Sequence, residues 1–105
     1  MENSDPLYFV YILYSSNLNK FYVGQTLDLI NRLKEHNAGE SRYTSHGVPW
    51  ILLWFTTKNH FRSSENLERK LKNLSRARKI KFMLKYRDGI VSVSNFEELL
   101  KLTIK

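Results

Sequence analysis

The fold is decided by LYFVYILYSSNLNKFYVG, residues 7–24. Two apolar, aromatic-rich runs, Tyr8 to Tyr14 and Phe21 to Val23, flank the break Ser15-Ser16-Asn17-Leu18-Asn19-Lys20. β-Branched and aromatic residues on either side of a polar, Asn/Ser-rich interruption predict two strands and a hairpin loop. With the six-residue break as the loop, Tyr14 opposes Phe21, Leu13 opposes Tyr22 and Tyr11 opposes Gly24. Directly opposed residues share a face, so Tyr11 and Tyr22 project from the same side of the sheet. Gly24, with no side chain, leaves backbone beside Tyr11 open to close approach. Two phenols beside a gap are a candidate site; cross-strand aromatic pairs are equally an ordinary means of stabilising a sheet.

Outward from the hairpin, residues 1–6 read as a frayed lead-in ending at Pro6. Thr26 can cap a helix that starts at Leu27-Asp28, with Asp28 in a first turn where the helix dipole favours an anion. Leu29, Ile30 and Leu33 recur at helical spacing, and Gly39 is a natural stop. Arg32 and His36, four apart, share a face beside that stripe. Taken alone, Arg32 also reads as a solvated arginine and His36 as a helix-end histidine favoured by the dipole. Residues 40–49 form a polar loop in which Tyr43 is the aromatic exception. Trp50 to Thr57, WILLWFTT, reads as a buried strand, apolar on both faces. A sheet that needs cover on both faces predicts an α+β domain: a small, central three-stranded antiparallel sheet flanked by helices on both faces. From Arg62 or Ser63 the period turns helical, with Leu67, Leu71 and Leu74 as a stripe and Ser63-Ser64 as candidate caps. Ser75 interrupts before a second stretch, Arg76 to Tyr86, that ends near Asp88-Gly89, and Asn95 to Lys101 predicts a final short helix.

The 105 residues, 42% hydrophobic, make one compact domain, 1–105. With no cysteine, disulfides, thiolate metal sites and cysteine nucleophiles are excluded. The acidic, polar start lacks the features of a secretion signal, and the longest apolar run is far too short to cross a bilayer, so the expected setting is cytoplasmic, with no membrane partner. The net charge is +7, and its distribution carries the information. Eleven of the 17 Lys and Arg fall within residues 58–87 against only Glu65 and Glu68, a local excess of +9, whereas the remainder of the chain is net negative. A basic stripe confined to one segment is the footprint of a phosphate-backbone binder, or else a face kept charged for solubility.

Phe9-Val10-Tyr11, ten intervening residues, then Tyr22-Val23-Gly24 resembles the signature of the GIY-YIG endonuclease superfamily, with Phe9 where the signature has its first glycine. In Leu67-Glu68-Arg69-Lys70-Leu71-Lys72 the chain resembles the second-helix signature in which these nucleases carry a metal-binding glutamate. The likeness spans about residues 8–80, leaving 89–105 as a C-terminal extension, and is nearest to small single-domain members and to the catalytic domain of nucleotide-excision-repair endonucleases. It implies a metal-dependent DNA endonuclease, structure-dependent and linked to DNA repair or processing. It also implies Tyr11, Tyr22, Arg32, His36 and Tyr43 as catalytic residues and Glu68 as the ligand of Mg2+ or Mn2+, held weakly without DNA. Gly24, Gln25, Lys70, Lys72, Arg76, Arg78 and Lys79 are the expected contacts to DNA, or to RNA, from a protein taken as a monomer. Gln25 stands where some relatives carry a lysine. Tyr11 is expected to act as general base or to orient the attacking water, and Arg32 to contact the scissile phosphate. An ordinary tyrosine is a poor base at neutral pH, so a cation that lowers its pKa is expected nearby. Glu68 also sits four residues before Lys72, the spacing of a plain surface ion pair. The alternative function is a non-catalytic nucleic-acid-binding module with phenols stacking on bases and lysines tracking phosphates.

Overall fold

The computed structural model describes residues 6–104, so most of the expected lead-in lies outside the described residues. β1 (Tyr8–Ser15) and β2 (Lys20–Thr26) form the hairpin, followed by α1 (Leu29–Asn37), β3 (Trp50–Lys58), α2 (Phe61–Lys72), α3 (Arg76–Lys85) and α4 (Val93–Ile104). The sheet is antiparallel in the order β2-β1-β3. Its hairpin register is the expected one, Tyr11 opposite Gly24, Leu13 opposite Tyr22 and Tyr14 opposite Phe21. The turn is closed by Asn19 at φ 54°, a left-handed conformation that asparagine tolerates better than most residues.

The central position of β1 explains its uninterrupted apolar run, since Val10 to Ser15 are all buried and both faces need cover. On one face Val10, Ile12 and Tyr14 pack with Leu53, Trp54, Leu71, Ile80, Met83 and Leu99, joining α2, α3 and α4 to the sheet. On the other, Tyr11 and Leu13 pack with Leu29, Trp50, Tyr22 and Leu33, which places α1 there. Full burial of Leu71, Met83 and Leu99 contributes about 1.5–3 kcal/mol each.

Four details depart from the sequence reading. β3 is an edge strand, with Ile51 exposed, and is not buried along its whole length. A register shift at Ile12/Leu13 makes a bulge, which lets the consecutive residues Leu53 and Trp54 both enter one core. Asp28, not Thr26, caps α1, accepting from the Asn31 N–H at 3.1 Å, while Thr26 Oγ1 accepts from the Asp28 N–H at 3.1 Å. α2 begins earlier, at Phe61, so Ser63-Ser64 are not caps, and Ser64 lies inside the helix with its hydroxyl buried. Ser75 does separate the next helix, accepting from the Arg78 N–H at 3.2 Å. The C-terminal extension belongs to the core: Val91 N–H donates to Leu53 O at 3.0 Å and Leu99 is fully buried. No helix among the described residues is long and apolar enough to cross a membrane.

Candidate active site

Tyr11 leaves the central strand and lays its ring across Gly24. A Cβ at Gly24 would stand 2.6 Å from the Tyr11 hydroxyl and 2.7 Å from Cζ, so the gap expected beside Tyr11 is filled by its own phenol. The Tyr22 ring lies beside it, centroids 6.3 Å apart. The last turn of α1 delivers His36, fully buried and not at a wet helix end, to the same place. Its Nε2 is 3.0 Å from the Tyr11 hydroxyl, its Nδ1 is 2.9 Å from Thr44 Oγ1, and its ring meets Tyr22 edge-on at 4.9 Å. Thr44 is in turn fixed by Trp50, whose indole N–H donates to its carbonyl at 2.7 Å. Asn37 secures the start of β3 by accepting from Trp50 N–H at 2.6 Å and donating to Trp50 O at 3.1 Å.

Burial pushes the Tyr11 phenol up to about 12, and the neighbouring Arg32 opposes that rise without cancelling it. The expectation that a nearby cation lowers this pKa is therefore corrected: the cation is present, but desolvation of the phenolate outweighs it. His36 is pushed below its ordinary value, first by burial and then by the Arg32 charge. Arg32 is held cationic chiefly by Glu35, 2.9 Å away, and then by Tyr11. At neutral pH the pair is thus a protonated phenol against a neutral imidazole. That imidazole carries a single proton: with the proton on Nδ1 and bonded to Thr44 Oγ1, Nε2 is the acceptor for the Tyr11 O–H, and with it on Nε2 both contacts run the other way.

A second group meets this one at the β2 edge. Glu68, on α2, has only 17% of its side chain exposed and lies close enough to Tyr11 to add to the rise in its pKa. Gln25 Nε2 donates to Glu68 Oε1 at 3.4 Å, and the buried Ser64 hydroxyl donates to Gln25 Oε1 at 2.5 Å. Glu68 Oε2 also faces Lys72 Nζ at 3.1 Å, the ion pair that the spacing allowed. Among the described residues no cluster of three or more His, Cys, Asp or Glu forms a closed metal cage. A lone, oriented and partly exposed carboxylate fits magnesium, which keeps several waters and needs only one or two carboxylates.

Tyr11, Tyr22, Arg32, His36 and Glu68 come together, as do Gly24 and Gln25. Tyr43 does not join them, being 89% exposed, while its neighbour Thr44 points inward to His36. Among the basic residues, Arg76 donates to Asn19 O at 2.8 Å and Asn19 Oδ1 at 2.7 Å and stacks on Phe21, and Lys79 Nζ donates to Leu74 O at 2.5 Å. Both are committed to the fold, whereas Arg78 stands in solvent and Lys70, though exposed, lies 5.9 Å from the Phe82 ring centroid. Thr44 and Ser64 were missed because small hydroxyl residues in a loop and near a helix start give no signal of what they bond across the fold.

A buried tyrosine–histidine contact lies beside one carboxylate, on a domain whose basic charge is concentrated in two helices. The family model "GIY-YIG catalytic domain" matches residues 7–81, and the chain belongs to that family. The domain is typically a nuclease domain. The chain is 33% identical over 79 residues to a UPF0213 protein of Pediococcus pentosaceus, covering 74% of this chain and 82% of the relative. It is 31% identical over 91 residues to a UPF0213 protein of Yersinia enterocolitica, covering 86% and 93%. The solution NMR structure of the UPF0213 protein BH0048 from Bacillus halodurans is similar at a TM-score of 0.49 and 28% identity, over 79% of this chain and 86% of that one.

Proposed function

We propose that the protein is a divalent-metal-dependent endonuclease that hydrolyses phosphodiester bonds in DNA of particular structure, serving DNA repair or processing. The reading rests above all on one contact, the 3.0 Å approach of the Tyr11 hydroxyl to the fully buried Nε2 of His36. With its pKa raised, Tyr11 holds no standing phenolate at neutral pH. It serves instead as a relay: the phenol oxygen takes the proton of the attacking water as its own proton passes to His36 Nε2, and Thr44 holds the imidazole in the accepting tautomer. Burial keeps His36 neutral and therefore able to accept. Arg32, cationic and partly exposed beside both phenols, binds the scissile phosphate and steadies the charge that grows on its oxygens. Glu68 holds the metal ion, with Gln25 and Ser64 fixing its carboxylate. That ion, when bound, supplies charge stabilisation to the departing oxygen. Lys72 must give up its pairing for the ion to enter, which is consistent with weak binding before DNA arrives.

A second reading, a non-catalytic nucleic-acid binder, draws on that same Lys72–Glu68 pair, which neutralises the carboxylate without any metal. Incubation with nicked, branched, flapped and single-stranded DNA in magnesium or manganese separates the two. Cutting that is lost in Glu68→Ala while binding persists supports the endonuclease; a panel left intact with either metal supports the binder.

A further inference from the structure

At the edge of the sheet opposite Gly24 and Gln25, a cavity of about 480 Å³ opens between β3, α2, α3 and the turn at Arg87–Gly89. Its wall is built, not incidental. The Trp54 indole N–H donates to Tyr86 O at 2.9 Å, which clamps the turn onto the strand. Gly89 permits that closeness, since a Cβ there would stand 2.5 Å from Trp54 Nε1. Phe82 and Tyr86 supply an aromatic lining, their centroids 4.7 Å apart. Lys58, Lys70 and Lys85 reach the same space, and none of them forms an ion pair among the described residues. In the absence of a ligand two of these ammonium groups rest on the rings: Lys70 lies 5.9 Å from the Phe82 centroid and Lys85 5.4 Å from that of Tyr86.

We propose that this cavity binds a nucleotide unit, its base against Tyr86 and Phe82 and its phosphate among Lys58, Lys70 and Lys85. Lys58, Lys70, Lys85 and Arg87 outnumber the one carboxylate in the lining, Asp88, and favour an anionic ligand, while the exposed Tyr86 ring beside the half-buried Phe82 favours one that also carries a flat π-system. The volume lies within the roughly 300–1,000 Å³ of small-ligand sites. A base inside a duplex cannot present its face to Tyr86, so the unit is unpaired, coming either from a free nucleotide or from a single-stranded stretch. The site lies across the sheet from Tyr11 and does not depend on cleavage. It would serve the proposed endonuclease by holding an unpaired strand on the far edge.

The test follows the Trp54 indole N–H resonance during titration of the whole protein with thymidine monophosphate, a short oligothymidylate, a blunt duplex and inorganic phosphate. The expected result is a saturable shift with the monophosphate or the oligothymidylate. A shift with the monophosphate alone identifies a free nucleotide as the source, and a stronger response to the oligothymidylate identifies a strand. Tyr86→Ala, at a residue 49% exposed, should weaken that binding by roughly five- to 150-fold, the range that stacking supports, while duplex affinity changes less than about twofold. Lys85→Gln should weaken it as well. An equal shift with phosphate alone, a stronger response to the duplex, or no effect of Tyr86→Ala overturns the proposal. Because the readout is binding at Trp54, it stands or falls whether or not the protein cuts DNA.

Discussion

Gly24→Ala tests whether the placement of the Tyr11 hydroxyl carries the chemistry. The added methyl carbon would start 2.6 Å from that oxygen and 3.0 Å from Tyr22 Cε2, against an ordinary contact of 3.4 Å or more. The phenol must therefore retreat by about 0.8 Å, which exceeds what its 3.0 Å bond to His36 Nε2 tolerates. Gly24 has no positive φ, so the backbone accepts alanine and the effect comes from the side chain alone. Overpacking of this kind costs about 1–3 kcal/mol of stability, readable as a lowered Tm with the fold retained. A misplacement near 1 Å costs on the order of 10²-fold in rate. Single-turnover cleavage of the best DNA substrate should fall by about that factor, with Kd for the same DNA within about twofold of wild type. A folded Gly24→Ala protein that cuts at the wild-type rate would refute the role given to the Tyr11–His36 contact.

The pH profile follows from the same pair. The His36 folded-state pKa lies below its unfolded 6.5, so kcat/KM should fall on an acid limb below 6.5, removed in His36→Gln, and not show the limb near 12 of a resident phenolate. Because the unfolded chain binds that proton more readily, stability should be full above 6.5 and decline as pH falls from there toward the lower folded value, seen in thermal melts. Gln25→Leu removes the donor to Glu68 and should raise the magnesium needed for half-maximal cleavage by about tenfold, with DNA binding held. Arg78→Ala should reduce the slope of log Kd against log salt by about 1, whereas Lys79→Ala, which frees the Leu74 carbonyl, should lower Tm.

The register of the hairpin was legible because the break between the apolar runs admits one pairing that keeps Tyr11, Leu13 and Tyr22 on one face; its length was not, since Ser15 and Lys20, read as loop, pair as the last rung of the ladder and leave a turn of residues 16–19. The double-sided apolar character of β1 likewise revealed helices on both faces. Other features depended on distant partners. Trp50 to Thr57 reads as fully buried, yet one flank of that strand is open, and a bulge turns Leu53 and Trp54 the same way. From its own neighbours His36 reads as a helix-end histidine, and only the family resemblance marked it as a site residue; its partner Tyr11, 25 residues earlier, reaches its Nε2 through the fold. Gln25 reads as a DNA contact, but its amide is engaged on both sides by Ser64 and Glu68. Arg76 and Lys79 are indistinguishable in sequence from the free cations around them; only the neighbouring turn and helix end claim them.

The most direct measurement of the central claim is Tyr11→Phe, which keeps the ring over Gly24 and removes the one oxygen that His36 Nε2 contacts. Single-turnover cleavage and equilibrium binding are measured side by side in magnesium on the substrate that wild type cuts best. Cleavage should drop by at least about 10²-fold, the scale of general acid–base catalysis, while Kd is unchanged within about twofold. Cleavage by Tyr11→Phe at the wild-type rate, with binding intact, would contradict that claim.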